Sequence, residues 1–258
     1  MKMTSPIWRL IRAEPWPSAH RPLPLLQAHR GYWAAGFQEN TTEAFRAARL
    51  AGFEMCELDV RLSKDGVAVV FHDEDLSRLG GREDLIQTMT AEELRRLAKA
   101  PALKDVLVDA SVTESFNIEL KSPLKGLGRL EAAVVEAVRA AKAESRVIFS
   151  SFNPFSLALC SRLAPEVPRA LLVTEQKEKG NSWPLRKLLF APFLSIHLLN
   201  LDERMLTPEV LAELRRREIP FAVWTVNDPG HAHALLRAGA RSLITDKLTP
   251  ASLPAEKF

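Results

Sequence analysis

Two histidines, three carboxylates and two cations carry the chemistry that can be read from this chain. Glu57 and Asp59 lie two residues apart in an apolar stretch, as do Glu119 and Lys121 in Asn117-Ile118-Glu119-Leu120-Lys121. Strand side chains alternate between faces, so each pair shares a face while Cys56, Leu58, Val60, Ile118 and Leu120 take the other. Three carboxylates gathered on an enclosed face repel one another by several kcal/mol unless they are protonated, paired or bound to a cation. Oxygen donors with no thiolate positioned beside them suit one hard divalent cation, Mg²⁺ or Ca²⁺, rather than zinc. His29 and His72 each stand beside an ionisable neighbour, Arg30 and Asp73 respectively. One imidazole can take a proton from a nucleophile while the other protonates a leaving oxygen, and the residues do not say which does which. The cation, Arg30 and Lys121 would neutralise phosphoryl oxygens, Arg30 with a bidentate fork. Together these groups read as a site for phosphodiester cleavage. Nucleotide-driven transfer lacks its phosphate-cradling G-x-x-x-x-G-K-[ST] loop, and Gly126-Leu127-Gly128 is too short to replace it.

The elements that must position these groups follow from periodicity. Nine strand candidates end near Ala28, Val60, Phe71, Leu120, Ser150, Val173, Leu198, Val226 and Thr245, with helical patterns between most of them. Only Arg61 to Gly66 separate the second from the third, too few for a parallel crossover, and Lys64-Asp65-Gly66 supplies hairpin chemistry. Setting aside the returning hairpin arm leaves eight parallel strands. The expected fold is α/β, a (β/α)₈ TIM barrel forming one domain over 1–258, with a hairpin after the second strand. Helix starts agree: Thr90-x-x-Glu93 is a capping box, Thr207-Pro208 and Asp228-Pro229 pair a cap with a first-turn proline, and Gly239 closes the last long helix. Residues 73–115 exceed an ordinary loop and predict a small cap insertion with one amphipathic helix around Leu94 and Leu97. Barrel sites lie at the C-terminal strand ends, where His29, Arg30, Glu57, Asp59, His72, Glu119 and Lys121 all fall.

Composition narrows the class. The 258 residues are 47% apolar and 26% charged, as in globular domains, which excludes disordered and fibrous chains. A net charge of +3 lacks the clustered excess that nucleic acid demands, so nucleic acid is not an expected partner. Cys56 and Cys160 form no metal or redox motif, which fits a reducing compartment. No charge-free run exceeds the 15 residues Val147 to Ser161, short of a membrane span. Met1 to Pro22 has no continuous hydrophobic core of a signal peptide, so the expected location is cytoplasmic. Ile7, Trp8, Leu10 and Ile11 make a short amphipathic piece with two readings, packing on the barrel bottom or peripheral contact with a membrane surface.

Read in order, Ala28-His29-Arg30-Gly31, Glu39-Asn40-Thr41 with Ala44-Phe45, Glu57-Leu58-Asp59-Val60, Lys64-Asp65-Gly66 through His72-Asp73, Ile118-Glu119-Leu120-Lys121, Ser150-Ser151-Phe152-Asn153, Trp224-Thr225-Val226-Asn227 and Thr245-Asp246 form a specific pattern. It resembles the glycerophosphodiester phosphodiesterase family over residues 25–248. The resemblance implies a barrel of this kind that uses a divalent metal to hydrolyse glycerophosphodiesters to glycerol 3-phosphate and an alcohol. It matches His29 and His72 to the acid/base pair, Glu57, Asp59 and Glu119 to metal ligands, and Arg30 and Lys121 to phosphate contacts. Asn40 and Trp224 also match motif positions at the substrate. Asn40 reads equally as a helix N-cap with Glu43, and Trp224 either stacks on the glycerol or fills the lumen. The chain departs from the family at Gln38, where proline is usual, and at Leu79, where threonine is usual. Pro101-Ala102-Leu103-Lys104-Asp105 replaces a run associated with the cap. The apolar stretch Leu188 to Leu201 allows a variant reading, a lysophospholipase D that grips an acyl chain. A non-catalytic phosphodiester-binding barrel is disfavoured, because an unused cluster of buried charge is destabilising.

Overall fold

The barrel closes through its first strand. In the computed structural model, which describes residues 11–123, 126–176 and 194–253, β1 (Leu26–His29) pairs in parallel with both β2 (Met55–Leu62) and β9 (Ser242–Thr245). Between them run β4 (Ser115–Leu120), β5 (Val147–Ser151), β6 (Arg169–Val173), β7 (Leu198–Asp202) and β8 (Phe221–Trp224), each parallel to its neighbours. β3 (Ala68–Val70) returns antiparallel to β2. The turn between them uses Gly66 at φ +82°, a conformation a side chain would strain. Eight parallel strands and one hairpin arm therefore make the expected TIM barrel.

Local chemistry starts the surrounding helices. Thr41 accepts the Ala44 amide at α1 (Thr42–Leu50), and Thr90 and Glu93 complete the capping box of α3 (Ala91–Ala98). α5 (Arg129–Ala140) follows Gly128, whose amide is held by Glu131 at 2.7 Å. Asn153, Thr207 and Asp228 cap α6 (Pro154–Leu163), α7 (Pro208–Arg216) and α8 (Pro229–Arg237), each with proline at the first turn. Apolar faces of these helices cover the outward strand residues, including Cys56, Leu58, Val60, Ile118 and Leu120, in one continuous core. Among the described residues, no helix is long and apolar enough to cross a membrane.

The lumen is graded from apolar to ionic. Met55, Ile148, Ala170, Leu198 and Ala222 plug its bottom, with Trp16 and Leu23 packed beneath. Above them Gln27 donates to Ser242 Oγ at 3.0 Å and accepts from Asn117 Nδ2 at 2.9 Å. The next layer is the charged one. At the bottom, Ile11 is buried and Ala13 bridges Ile196, so this end of the amphipathic piece packs on the barrel. Its other members, Ile7, Trp8 and Leu10, lie outside the described residues.

Two expectations are corrected. β7 spans Leu198–Asp202 rather than ending near Leu198, because pairing of Leu171 with Leu199 sets its place, and the largely apolar stretch, in which Ser195, His197 and Asn200 are irregularly spaced, does not mark where the strand ends. Residues 188–193 of that stretch lie outside the described residues. The insertion also holds three helices rather than one, α2 (Ser77–Gly80), α3 and α4 (Leu103–Val108). The first and last are too short to display a helical period. α3 covers a small core of its own, Val69, Phe71, Leu76, Ile86, Met89, Leu94, Ala98 and Ala100, whereas α4 packs on β3 and α5. Gln38 ties the insertion down by donating to the Ala98 carbonyl at 2.7 Å. The Pro101–Asp105 run extends the hairpin edge, since Pro101 accepts the Val70 amide at 2.8 Å.

His197 marks the barrel bottom as acid-sensitive. Its Nδ1 accepts the Arg169 amide at 3.2 Å, which requires the neutral ring, and burial, reinforced by the Arg169 charge, pulls its pKa from 6.5 down to about 4. Stability from such a group is complete above its unfolded value and is lost as pH falls through the 6.5-to-4 window. Between pH 7 and 5 the wild type should therefore lose more stability in denaturant melts than His197→Asn, which accepts without titrating. Equal losses would remove His197 from the acid response.

Candidate active site

Strand register brings the carboxylates together. Asp59 pairs with Glu119 and Glu57 with Asn117 across β2 and β4, so all three acids enter the lumen from adjacent strands. One oxygen of each lies within 4.8 Å of the others, and all three residues are buried. At such separations like charges repel by about 3–4 kcal/mol per pair at an effective dielectric near 20. Lys121 Nζ sits 3.0 Å from Asp59 Oδ1 and 2.6 Å from Glu119 Oε1, and Arg30 Nε lies 3.4 Å from Asp59 Oδ2. The Arg30 amide, held at φ +56°, donates to Glu57 Oε2 at 3.1 Å.

Titration follows from this placement. Burial, then the Asp59 and Glu119 charges, push Glu57 well above the usual carboxylate range. Burial also raises Glu119, partly offset by Lys121. For Asp59 the burial penalty is overcome by Lys121 and Arg30, which hold it well below that range. Three acids against two cations leave one negative charge when all are ionised. Either a proton on Glu57 or a divalent cation relieves it, and this all-oxygen donor set can hold such a cation.

The histidines flank the same cavity of about 190 Å³, whose lining includes His29, Arg30, Glu57, His72, Glu119 and Lys121. His29 Nδ1 donates to Asp246 Oδ1 at 2.7 Å, leaving Nε2 3.9 Å from Glu57. Asp246 is itself fixed by Asn227 Nδ2 at 3.2 Å and Trp33 Nε1 at 3.3 Å, and is kept ionised because these hydrogen bonds and His29 outweigh its burial. His72 Nδ1 donates to Asp73 Oδ1 at 2.7 Å, and Arg61 donates to the His72 carbonyl at 2.8 Å. Burial lowers the His72 pKa against the pull of Asp59.

A chain of alternating charge links that histidine to the acids. Asp73 accepts from Arg78 Nε at 2.7 Å, Arg78 Nη2 reaches Glu39 Oε1 at 2.5 Å, and Glu39 accepts from Arg30 Nη1 at 2.9 Å. Asn40 lies beneath this chain. It is neither the N-cap, which is Thr41, nor part of the cavity lining. At φ +57° it donates to Asp59 Oδ2 at 2.8 Å and accepts the Asp59 amide at 3.2 Å. Trp224 lines the cavity with its Nε1 donating to the Asn200 carbonyl at 3.0 Å, edge-on to Phe152 with centroids 5.7 Å apart.

Of the nine residues expected at the site, eight are thus gathered around one cavity or its buried acids, and Asn40 sits behind Asp59. Sequence reasoning gave no role to Asp246, Asn227, Glu39, Arg78 or Asn200. The first three stand within quoted motif segments, but their partners are distant in the chain. Asn200 lay beyond the expected end of its strand.

Residues 29–249 match the model of the glycerophosphoryl diester phosphodiesterase family. The protein YqiK of Bacillus subtilis is 37% identical over 85% of this chain and 93% of its own length. A glycerophosphodiester phosphodiesterase of Bacillus altitudinis is 32% identical over 85% of this chain and 93% of its own length. The solved structure of an Oleispira antarctica phosphodiesterase in complex with the product sn-glycerol-3-phosphate superposes with a TM-score of 0.72 at 26% identity, covering 87% of this chain and 93% of that one. With the barrel, the acids and the histidines placed as above, the chain belongs to the glycerophosphoryl diester phosphodiesterase family and is a phosphoric diester hydrolase.

Proposed function

We propose that the chain hydrolyses glycerophosphodiesters to sn-glycerol 3-phosphate and an alcohol, with His29 and His72 as the acid/base pair and Glu57, Asp59 and Glu119 holding a divalent cation, Mg²⁺ or Ca²⁺. One observation carries this reading. Two imidazoles, each with Nδ1 committed to a carboxylate at 2.7 Å, open on the same cavity as a buried acidic triad.

With Nδ1 engaged, Nε2 is the nitrogen each ring offers to a substrate. One Nε2 removes the proton of the nucleophile while the other protonates the departing ester oxygen. Asp246 and Asp73 hold the rings in the required tautomer and stabilise whichever imidazolium forms. Arg30 and Lys121 line the cavity, and this places two cations where they would neutralise phosphoryl oxygens. Their charges are kept by the surrounding acids despite burial. A cation held by Glu57, Asp59 and Glu119 would supply Lewis-acid neutralisation of the charge on the phosphoryl oxygens. Asn40 acts by orienting Asp59, and Trp224 forms the cavity wall against the glycerol.

Phosphorus NMR of purified protein with glycerophosphocholine and Mg²⁺ or Ca²⁺ should show sn-glycerol 3-phosphate as the product. Choline phosphate would mean that the other ester bond breaks, and a transient cyclic phosphate would identify the glycerol hydroxyl rather than water as nucleophile. His29→Ala and His72→Ala should each lower kcat by about 10²- to 10⁴-fold with circular dichroism unchanged. Asp246→Asn should cost at least about tenfold in kcat while leaving KM nearly constant, since it disturbs tautomer and not substrate contact. Near wild-type turnover in any folded variant excludes that residue from the mechanism.

Removing the cation by chelation should stop turnover, and adding it back should restore it. Because Glu57 and Glu119 are held above their usual range, the cation displaces protons, and its apparent affinity should fall as pH falls, by up to about tenfold per unit for each proton displaced. Calorimetry in buffers of different ionisation enthalpy counts those protons. Full activity in metal-free protein would overturn the assignment.

A further inference from the structure

The cavity walls hold polar groups that the proposed chemistry does not use. Asn200, in the centre of β7, is fully buried and lines the cavity, yet neither its Nδ2 nor its Oδ1 makes a hydrogen bond to any of the described residues. Ser150 Oγ, on β5 beside Glu119, and Asn117 Oδ1 are buried, cavity-lining and unbonded in the same way. Buried amides are nearly always paired in folded proteins, and an orphan costs stability. Going round the barrel, β7 is four strands from β2 in either direction, so Asn200 faces Glu57 and the acids across the lumen. Its strand neighbours in register, Leu172 and Ala222, offer no side-chain polar group.

We infer that Asn200 is the specificity-determining residue for the glycerol moiety, its amide pairing with a hydroxyl of the substrate while the phosphoryl group lies against the acids and cations; this rests on the proposed phosphodiesterase reading. The chemistry selects that ligand class. A carboxamide presents a donor and an acceptor side by side, and a hydroxyl both donates and accepts. A quaternary ammonium or an acyl chain offers neither, and would leave the amide unpaired as before. The enclosed wall therefore receives the polyol and the mouth receives the leaving alcohol. A site built to bond a hydroxyl rejects the analogue that lacks it far more strongly than a site that merely accommodates it.

The test compares sn-glycerol 3-phosphate with n-propyl phosphate, which keeps the phosphate and lacks both hydroxyls. Calorimetric titration of metal-loaded wild type should favour sn-glycerol 3-phosphate. Asn200→Leu should reduce that preference by roughly ten- to hundredfold, chiefly through weaker sn-glycerol 3-phosphate binding. Removing an orphaned amide should leave the ligand-free melting temperature of Asn200→Leu equal to or above that of the wild type, so lost affinity is not lost fold. Asn200→Ala, which needs no extra room, gives the same comparison if the leucine variant does not fold. An unchanged preference in folded variants overturns the inference and leaves the phosphodiesterase reading standing. Wild type that binds neither phosphate overturns both.

Discussion

Three carboxylates confined by two hydrogen-bonded strands are the constraint on which the site depends. The parallel register that pairs Asp59 with Glu119 is also what makes the sheet, so the acids cannot separate without breaking it. Their repulsion must be offset in place. Lys121 stands on the same strand run as Glu119, Arg30 reaches in from the end of β1, and a cation can supply what remains. The polar arrangement around the cavity follows from that need.

The offsetting groups are themselves held by opposite charges, so order passes outward from the acids. Arg30 is shared between Asp59 and Glu39, Glu39 between Arg30 and Arg78, and Asp73 between Arg78 and His72. Each side chain in this series has a partner on either side, which limits its rotamers. His72 is thereby fixed from the same network that holds Asp59. His29 has a separate anchor in Asp246, so the two imidazoles are placed by independent supports. The left-handed backbone at Arg30 and Asn40 belongs to the same arrangement, since it turns one main-chain amide toward Glu57 and one carboxamide toward Asp59. Strained backbone of this kind persists only where the surroundings over-determine it.

The lumen below makes this charge tolerable. An apolar plug and a hydrogen-bonded amide layer separate the acids from the barrel bottom, so solvent and substrate approach from one end only. The insertion, anchored through Gln38 to the loop after β1, lies alongside the loop that carries Glu39 and Asn40. Part of it encloses a small core of its own, while α4 joins the main barrel core through Leu103, Val106 and Leu107.

Much of this was legible in the chain because it is local. The alternation at Glu57 and Asp59, and at Glu119 and Lys121, assigns faces from neighbouring residues alone. Asp65-Gly66 shows a hairpin, and Thr90, Thr207 and Asp228 show where helices begin, because caps act within one turn. Tertiary structure decided what depends on barrel closure. His29 finds Asp246 217 residues later, a pairing that exists only because β9 returns beside β1. Asn40 proved to be a support for Asp59 rather than a cap, since the helix start passed to its neighbour Thr41. The position of β7, and with it the place of Asn200 on the cavity wall, came from pairing with β6, because the irregular spacing of Ser195, His197 and Asn200 in a largely apolar stretch gives no period from which register could be read.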